Sequence, residues 1–184
     1  RSRQKHLLTG TRLPRLGTTL GRAWPQIVME RPKVTKIRLR LALLSLTAVL
    51  AAPTTLLAQD GKVQTRQYDE GGIYEGTFKD GQQDGTGSYR LPNGFEYTGD
   101  WVMGEIKGQG VARYPDGSVY EGGFEKGKQH GFGKITYADG GTYEGSWRDG
   151  KITGQGIVVY ANGVRYEGSF RDATHHGRGV MTSP

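Results

Sequence analysis

Five tyrosines stand 23 residues apart, and no insertion or deletion interrupts their spacing. Self-similarity at a fixed period of this length is typical of a repeat array, in which a short unit stacks on copies of itself. Such an array offers a long surface of similar pieces, which favours binding over catalysis. The five residues are Tyr74, Tyr97, Tyr120, Tyr143 and Tyr166.

Each tyrosine is followed at fixed distances by a glycine, a second aromatic residue and a G-x-G pair. The glycines two residues later are Gly76, Gly99, Gly122, Gly145 and Gly168. The aromatic residues are Phe78, Trp101, Phe124, Trp147 and Phe170. The pairs are Gly85/Gly87, Gly108/Gly110, Gly131/Gly133, Gly154/Gly156 and Gly177/Gly179. Between aromatic residue and pair stands a turn glycine, which Ala173 replaces in the last unit.

Each unit is predicted to be a β-hairpin. Residues 95–101 alternate between an aromatic and glycine face and a polar face, which is the pattern of a strand. Residues 114–117 read Tyr-Pro-Asp-Gly, a turn in which proline presets φ and Asp hydrogen-bonds its own backbone. No part of the repeat region shows the 3.6-residue apolar period of a helix.

The glycines need a physical reason, because glycine weakens a strand interior unless another group approaches closely. We predict that each Tyr, Trp and Phe ring lies over glycines of the adjacent strand, as in the aromatic rescue of designed sheets. The aromatic residues and glycines would then serve packing first. A single unit buries too little surface to fold alone, whereas stacked units share a core.

The pattern Y-x-G-x-[WF]-x-x-G-x-x-x-G-x-G resembles the MORN repeat (membrane occupation and recognition nexus). Residues 143–150, Tyr-Glu-Gly-Ser-Trp-Arg-Asp-Gly, are similar to a consensus copy, and the resemblance runs from residue 59 to the C-terminus. It agrees with an all-β fold, an elongated single-layer antiparallel sheet of stacked β-hairpins. It implies protein scaffolding, self-association and sometimes membrane association.

The ends of the array depart from the pattern. Residues 59–73 are predicted to be a degenerate half-repeat that caps the first edge, because Tyr68 and Gly71 keep the register while Lys62 and Gln64 replace the G-x-G glycines. Residues 74–184 then hold five 23-residue repeats, the last one incomplete. Either Pro184 blunts the final edge, or the chain is a fragment of a longer repeat protein.

The residues before the array read as a targeting segment. A basic stretch from Arg31 to Arg40 precedes an apolar stretch from Leu41 to Ala52, and a small residue, Ala58, comes just before polar residues. This order is typical of a secretory signal peptide, so we predict a signal-peptide helix within residues 29–58 and cleavage after Ala58. Residues 1–28 would be a disordered or artefactual extension upstream of Met29.

An uncleaved membrane anchor is the alternative for residues 41–58, whose 18 residues approach the length that spans a bilayer. In either case the protein is predicted to be exported, to the periplasm, the cell envelope or the outside.

The excess positive charge of the chain lies in residues 1–40, in and before the predicted targeting segment. Residues 1–40 hold 11 of the 25 Lys/Arg and one of the 18 Asp/Glu, a net charge of +10, which leaves 14 and 17, a net charge of −3, for residues 41–184. A mildly acidic array with interspersed charges provides no electrostatic footprint for nucleic acid. It also disfavours nonspecific attraction to anionic lipid.

Nothing in the sequence assembles into a catalytic or metal site, so the chain is predicted not to be an enzyme and to need no cofactor. His130 and His176 share one repeat position beside a turn, and the chain has no cysteine. The recurrent carboxylates are interpreted as a solvated face, because they follow the repeat period. They are Glu75, Glu121, Glu144 and Glu167.

The function predicted is a non-catalytic interaction module that binds a protein partner or self-associates through its aromatic, glycine-lined face, since aromatic residues on rigid strands make good anchors. The candidate contact residues are Phe78, Trp101, Phe124, Trp147, Tyr97, Tyr120 and Tyr143. Three alternatives remain open: a module that binds phospholipid at a membrane surface, a repeat that binds glycan or choline, and an accessory fragment of a larger enzyme.

Overall fold

The structure is a computed structural model that describes residues 5–9 and 61–184. The predicted signal peptide lies outside the described residues, and no helix occurs within residues 61–184. The strands are β1 (Lys5–Thr9), β2 (Val63–Gln67), β3 (Ile73–Lys79), β4 (Gln82–Arg90), β5 (Glu96–Val102), β6 (Glu105–Arg113), β7 (Val119–Glu125), β8 (Lys128–Thr136), β9 (Thr142–Arg148), β10 (Lys151–Val159), β11 (Arg165–Arg171) and β12 (Thr174–Thr182).

The strands form a single antiparallel sheet in which spatial order follows chain order from β2 to β12. The prediction of stacked hairpins in an open, single-layer all-β sheet is therefore confirmed. β2, which falls within the predicted half-repeat, pairs with β3 alone among the described strands. At the opposite end β1 pairs with β12. Each hairpin consequently packs only against its two neighbours, as in other repeat arrays.

A tight turn joins the two strands of each unit. In unit four, Asp149 and Gly150 both have positive φ, 49° and 78°, the conformation of a type I′ turn that Asp-Gly favours. Met103 and Ala173 adopt the same left-handed region, at φ 49° and 58°. Side chains other than Gly, Asn and Asp are uncommon there because Cβ crowds the backbone.

The second strand of each hairpin bends at the first glycine of its G-x-G pair. In unit three, Gly122 pairs with Gly133 and Phe124 with Gln129, so β8 carries extra residues between these pairs. Gly131 lies in this bulge with a φ of 77°. A bulge bends its strand and increases the twist, and here it curls the sheet around the aromatic side chains.

Longer turns join one unit to the next. The Tyr114 amide donates to the Ser118 carbonyl at 2.9 Å, and the Ser118 amide donates to an Asp116 carboxylate oxygen at 2.9 Å. Asp116 therefore holds its own turn, as the Pro-Asp-Gly sequence predicts.

Candidate functional site: the aromatic ladder and the outer face

The period-setting tyrosines lie flat on glycines. A Cβ placed on Gly133 would be 2.5 Å from Cζ of Tyr120, so only glycine fits beneath this ring. The Tyr120 hydroxyl donates to the carbonyl of Gly123, three residues along its own strand, at 3.0 Å. The other four tyrosines cover Gly87, Gly110, Gly156 and Gly179 in the same way. The predicted aromatic-over-glycine packing is confirmed for the tyrosines.

The tryptophans and phenylalanines pack differently from that prediction. Trp147 meets the rings of Tyr120 and Tyr143 edge-on, with centroids 5.1 Å and 5.5 Å apart. Phe124 does the same with Tyr97 and Tyr120, at 5.1 Å each. No Trp or Phe side-chain atom is among the three nearest neighbours of a Cβ built on any described glycine. The result is a ladder of T-shaped ring contacts, a favoured geometry for aromatic pairs.

The units alternate between two types, which we call the Phe type and the Trp type. Units one, three and five have phenylalanine and, five residues later, a polar side chain: Gln83, Gln129 or His175. Units two and four have tryptophan and, at the same position, Ile106 or Ile152. The repeat of packing is therefore two hairpins long.

Each type joins the preceding unit in its own way. In the Phe type, the polar side chain reaches a tyrosine hydroxyl of the preceding unit: Gln129 Nε2 donates to Tyr114 Oη at 2.5 Å. In the Trp type, the indole N–H donates to a backbone carbonyl instead, from Trp147 to Gly133 at 3.1 Å. Both contacts satisfy polar groups in an apolar setting, where a missing hydrogen bond is costly.

The side chains of Arg66 and His175 cover the two ends of the ladder. At the first end the guanidinium of Arg66 lies 4.2 Å from the centroid of the Phe78 ring, a cation–π contact. At the last end His175 stacks on Tyr166, with centroids 3.7 Å apart and planes at 20°, and its Nε2 is 3.2 Å from the hydroxyl of Tyr160. Burial lowers the pKa of His175 below its ordinary value.

The tyrosine hydroxyls act as neutral donors. Burial raises the pKa of Tyr74 and of Tyr160 to about 12, and it raises the pKa of Tyr120 further. The loss of solvation disfavours the charged phenolate. These groups therefore stay protonated at neutral pH and are suited to hold structure rather than to exchange protons.

The seven predicted contact side chains belong to this ladder. Every one of Phe78, Trp101, Phe124, Trp147, Tyr97, Tyr120 and Tyr143 is at most 4% exposed. They cover one another because the bent sheet folds around them. Their contact with a partner stays a prediction, and it would require adjacent hairpins to separate.

The outer face of the sheet is the accessible surface. Its recurrent carboxylates at Glu75, Glu121, Glu144 and Glu167 are all exposed, which agrees with the predicted solvated face. Among the described residues, no group of His, Asp and Glu side chains has an arrangement that would hold a metal ion.

Phe132 is an exposed aromatic residue on this outer face. It is 65% exposed, although the matching positions in the other units are polar: Thr86, Gln109, Gln155 and Arg178. At the turn end, Met103 is 71% exposed where other units have Asp or Lys. The sequence analysis missed both residues. Comparing the five units position by position would have revealed them.

A known protein family has a repeat that matches this chain with the same spacing. The family model described as MORN repeat matches residues 74–95, 97–119, 120–142, 143–165 and 166–184. No curated protein matches the chain. Among the residues that the structure describes, no helix is long and apolar enough to cross a membrane.

Proposed function

Because the chain belongs to the MORN-repeat family, we propose that it is a non-catalytic interaction module that is exported and binds a protein partner or a second copy of itself. The array provides a rigid, extended support. Its aromatic side chains are buried in contacts between hairpins. A partner would therefore bind to the outer face or to the sheet edges.

The exposed Phe132 carries the proposal. It is an aromatic side chain in the central unit of the five, and it stands where the neighbouring units place polar residues. The small side chain of Ser146 lies opposite it on β9, and the Phe132 side chain is 65% exposed. Aromatic residues surrounded by small or polar neighbours are frequent hot spots of protein interfaces.

The charge of the array supports a protein partner over a lipid surface. Residues 41–184 have a net charge of −3, and the outer face repeats a glutamate along its length. Binding to anionic membranes depends on clustered Lys and Arg. A membrane-surface function remains the second candidate, because the family is associated with it, and it is tested in parallel.

The test compares partner capture by the full chain and by the Phe132→Gln variant, which copies Gln109 and Gln155. Gln155→Ala, on the same row of the outer face, is the matched control. We expect a partner, or self-association seen by sedimentation velocity, to be lost in Phe132→Gln and kept in the control. Identical behaviour of the two variants would remove Phe132 from the interface. Binding to vesicles that needs anionic lipid and weakens with salt would favour the membrane function.

Export has its own test. Expression of the full chain in cells, followed by N-terminal sequencing of the exported fraction, is expected to yield a chain that begins at Gln59. Retention of residues 41–58 in a membrane fraction would indicate an anchor instead. A chain found only in the cytosol would contradict export.

A further inference from the structure

We propose that the outer face beside Phe132 binds an extended acidic segment of a partner protein, with an apolar side chain of the segment on the Phe132 ring and a carboxylate between His130 and Arg148. The inference rests on the proposed interaction function and names the chemistry that the partner must present. It follows from one junction between hairpins at which two basic side chains face each other.

Each junction between neighbouring hairpins has two facing positions on the outer face, close to the type I′ turns. At the junction of units two and three they hold Lys107 and Glu125, whose side chains form an ion pair of 3.1 Å. Side chains at these two positions are therefore close enough to share a charged contact. One repeat later along the chain, the same positions hold His130 and Arg148, which we call the basic pair.

The basic pair lacks the carboxylate that its counterpart contains. Both side chains are exposed, and Arg148 forms no ion pair with any residue in 61–184. Lys151, opposite Arg148 across the turn, is bound to Asp172 at 3.6 Å and adds a further basic group. A guanidinium without a partner can bind an incoming carboxylate through two parallel hydrogen bonds.

An exposed aromatic ring lies next to the basic pair on the same face. Phe132 is two residues from His130 on β8, and Ser146, opposite Phe132 on β9, is two residues from Arg148. Two residues of a strand span about 7 Å, and facing side chains on neighbouring strands are about 5 Å apart at Cβ. The apolar and the basic ends of this patch are therefore separated by about 7 Å.

This separation predicts the sequence pattern of the partner. An extended segment presents every second side chain on one face, about 7 Å apart. An apolar residue and an Asp or Glu two positions away can therefore contact Phe132 and the basic pair at the same time.

The charges on the other side of Phe132 fix the orientation of the segment. There Glu121 and Glu144 flank Lys134 on the neighbouring strands, so that end of the patch has more negative than positive charge. A partner carboxylate is attracted to the basic pair and repelled from the opposite end. Such complementarity determines register more than it determines affinity.

A protein segment suits this patch better than an anionic membrane does. Adsorption to anionic lipid depends on clustered Lys and Arg, whereas the outer face repeats a glutamate along its length and residues 41–184 have a net charge of −3. A single carboxylate, in contrast, needs only the basic pair.

The probe is a phage-displayed library of random peptides, selected against the full chain. We expect the enriched peptides to share an apolar or aromatic residue with an Asp or Glu two positions away. One enriched peptide is then synthesised with a fluorescent label, and its Kd for the full chain is measured by anisotropy. Replacing its acidic residue by the corresponding amide is expected to weaken binding by about tenfold, because a charge-assisted contact is lost.

A charge reversal locates the contact on the array. Arg148→Glu is expected to weaken binding of the peptide by about tenfold or more, and a peptide with lysine in place of its acidic residue should bind this variant better than it binds the wild type. Arg171→Glu makes the same change at the equivalent position one repeat later, away from Phe132, and should leave the Kd unchanged. Added salt should weaken binding to the wild type more than binding to Arg148→Glu.

Three results would overturn the proposal. The first is a selection that enriches no peptide or enriches peptides without a shared acidic position. The second is peptide binding that survives Arg148→Glu or falls equally in Arg171→Glu. The third is displacement of the peptide by phosphatidylserine vesicles that bind the wild type and not Arg148→Glu, which would assign the basic pair to a lipid surface. A partner that is lost in Phe132→Gln and still binds Arg148→Glu keeps the proposed function and refutes the acidic contact.

Discussion

The ring of Tyr143 lies on Gly156 so closely that a Cβ at residue 156 would be 2.5 Å from both Cε2 and the hydroxyl oxygen. We therefore expect Gly156→Ala to lower the free energy of unfolding by about 1–3 kcal/mol, the usual cost of an overpacked core. Alanine ordinarily suits a strand better than glycine, so a loss identifies the clash. Urea denaturation followed by tyrosine and tryptophan fluorescence measures it.

The control for this prediction is a double-mutant cycle. Tyr143→Val is expected to be destabilising by itself, but Gly156→Ala should cost less in that background because the ring is gone. Strictly additive effects would show that the ring and the glycine are not coupled.

The backbone of the last type I′ turn is strained at Ala173, and a glycine there would relieve the strain. Ala173 has a φ of 58° at a position where the other units have glycine. A left-handed residue with a Cβ costs about 1–2 kcal/mol, so Ala173→Gly is expected to stabilise the chain by about 1 kcal/mol. Thermal unfolding measures the gain. The reverse change in unit four, Gly150→Ala, should destabilise by a similar amount, and a neutral outcome for both would rule out strain at this turn.

The buried Gln129 and Tyr114 act as a pair. Gln129→Ile, which copies the Trp-type units, removes the amide that donates to the Tyr114 hydroxyl and is expected to cost about 1 kcal/mol. The double variant Gln129→Ile/Tyr114→Leu copies the natural combination of Ile106 and Leu91. We expect it to cost less than the sum of its single changes, as chemical denaturation would show.

The final hairpin is expected to loosen in acid. Burial lowers the pKa of His175 from its ordinary value of 6.5, and the titratable groups that contact it are the hydroxyl-bearing rings of Tyr160 and Tyr166. A lowered histidine pKa favours the folded state fully above pH 6.5, and this contribution is lost as pH falls through the lower, folded-state pKa.

Amide hydrogen exchange of β12, compared at about pH 7.5 and about pH 5, where histidine titrates, measures this loss after correction for intrinsic rates. His175→Gln should remove the pH dependence. His176→Gln, on the exposed side of the same strand, should leave it. Equal protection at both pH values in the wild type would show that His175 does not destabilise the hairpin when protonated.

Much of the architecture follows from local chemistry. The Asp-Gly and Pro-Asp-Gly turns and the two-residue alternation place every hairpin of the array, because turn geometry and strand period are both local properties. The packing of tyrosine on glycine can also be predicted from the sequence. A glycine such as Gly133 or Gly156 weakens a strand interior, so its presence there indicates the close approach of another group.

The accessible surface, in contrast, cannot be predicted from local sequence. Which face of a sheet is covered depends on how far the bulges bend it, and that curvature is set by register shifts such as the one between Gly122 and Phe124. The predicted contact residue Trp101 is therefore buried, while Phe132 is exposed. The two unit types are not visible in a single consensus of the five copies, because averaging hides a difference between odd and even units.

Two kinds of junction between neighbouring hairpins constrain how such a chain can lengthen over evolutionary time. Copying one hairpin would place two units of the same type next to each other, whereas the array joins unlike units at every junction. Copying two adjacent hairpins together reproduces both junctions. Gene duplications that survive in this lineage should therefore come in multiples of 46 codons, twice the 23-residue spacing.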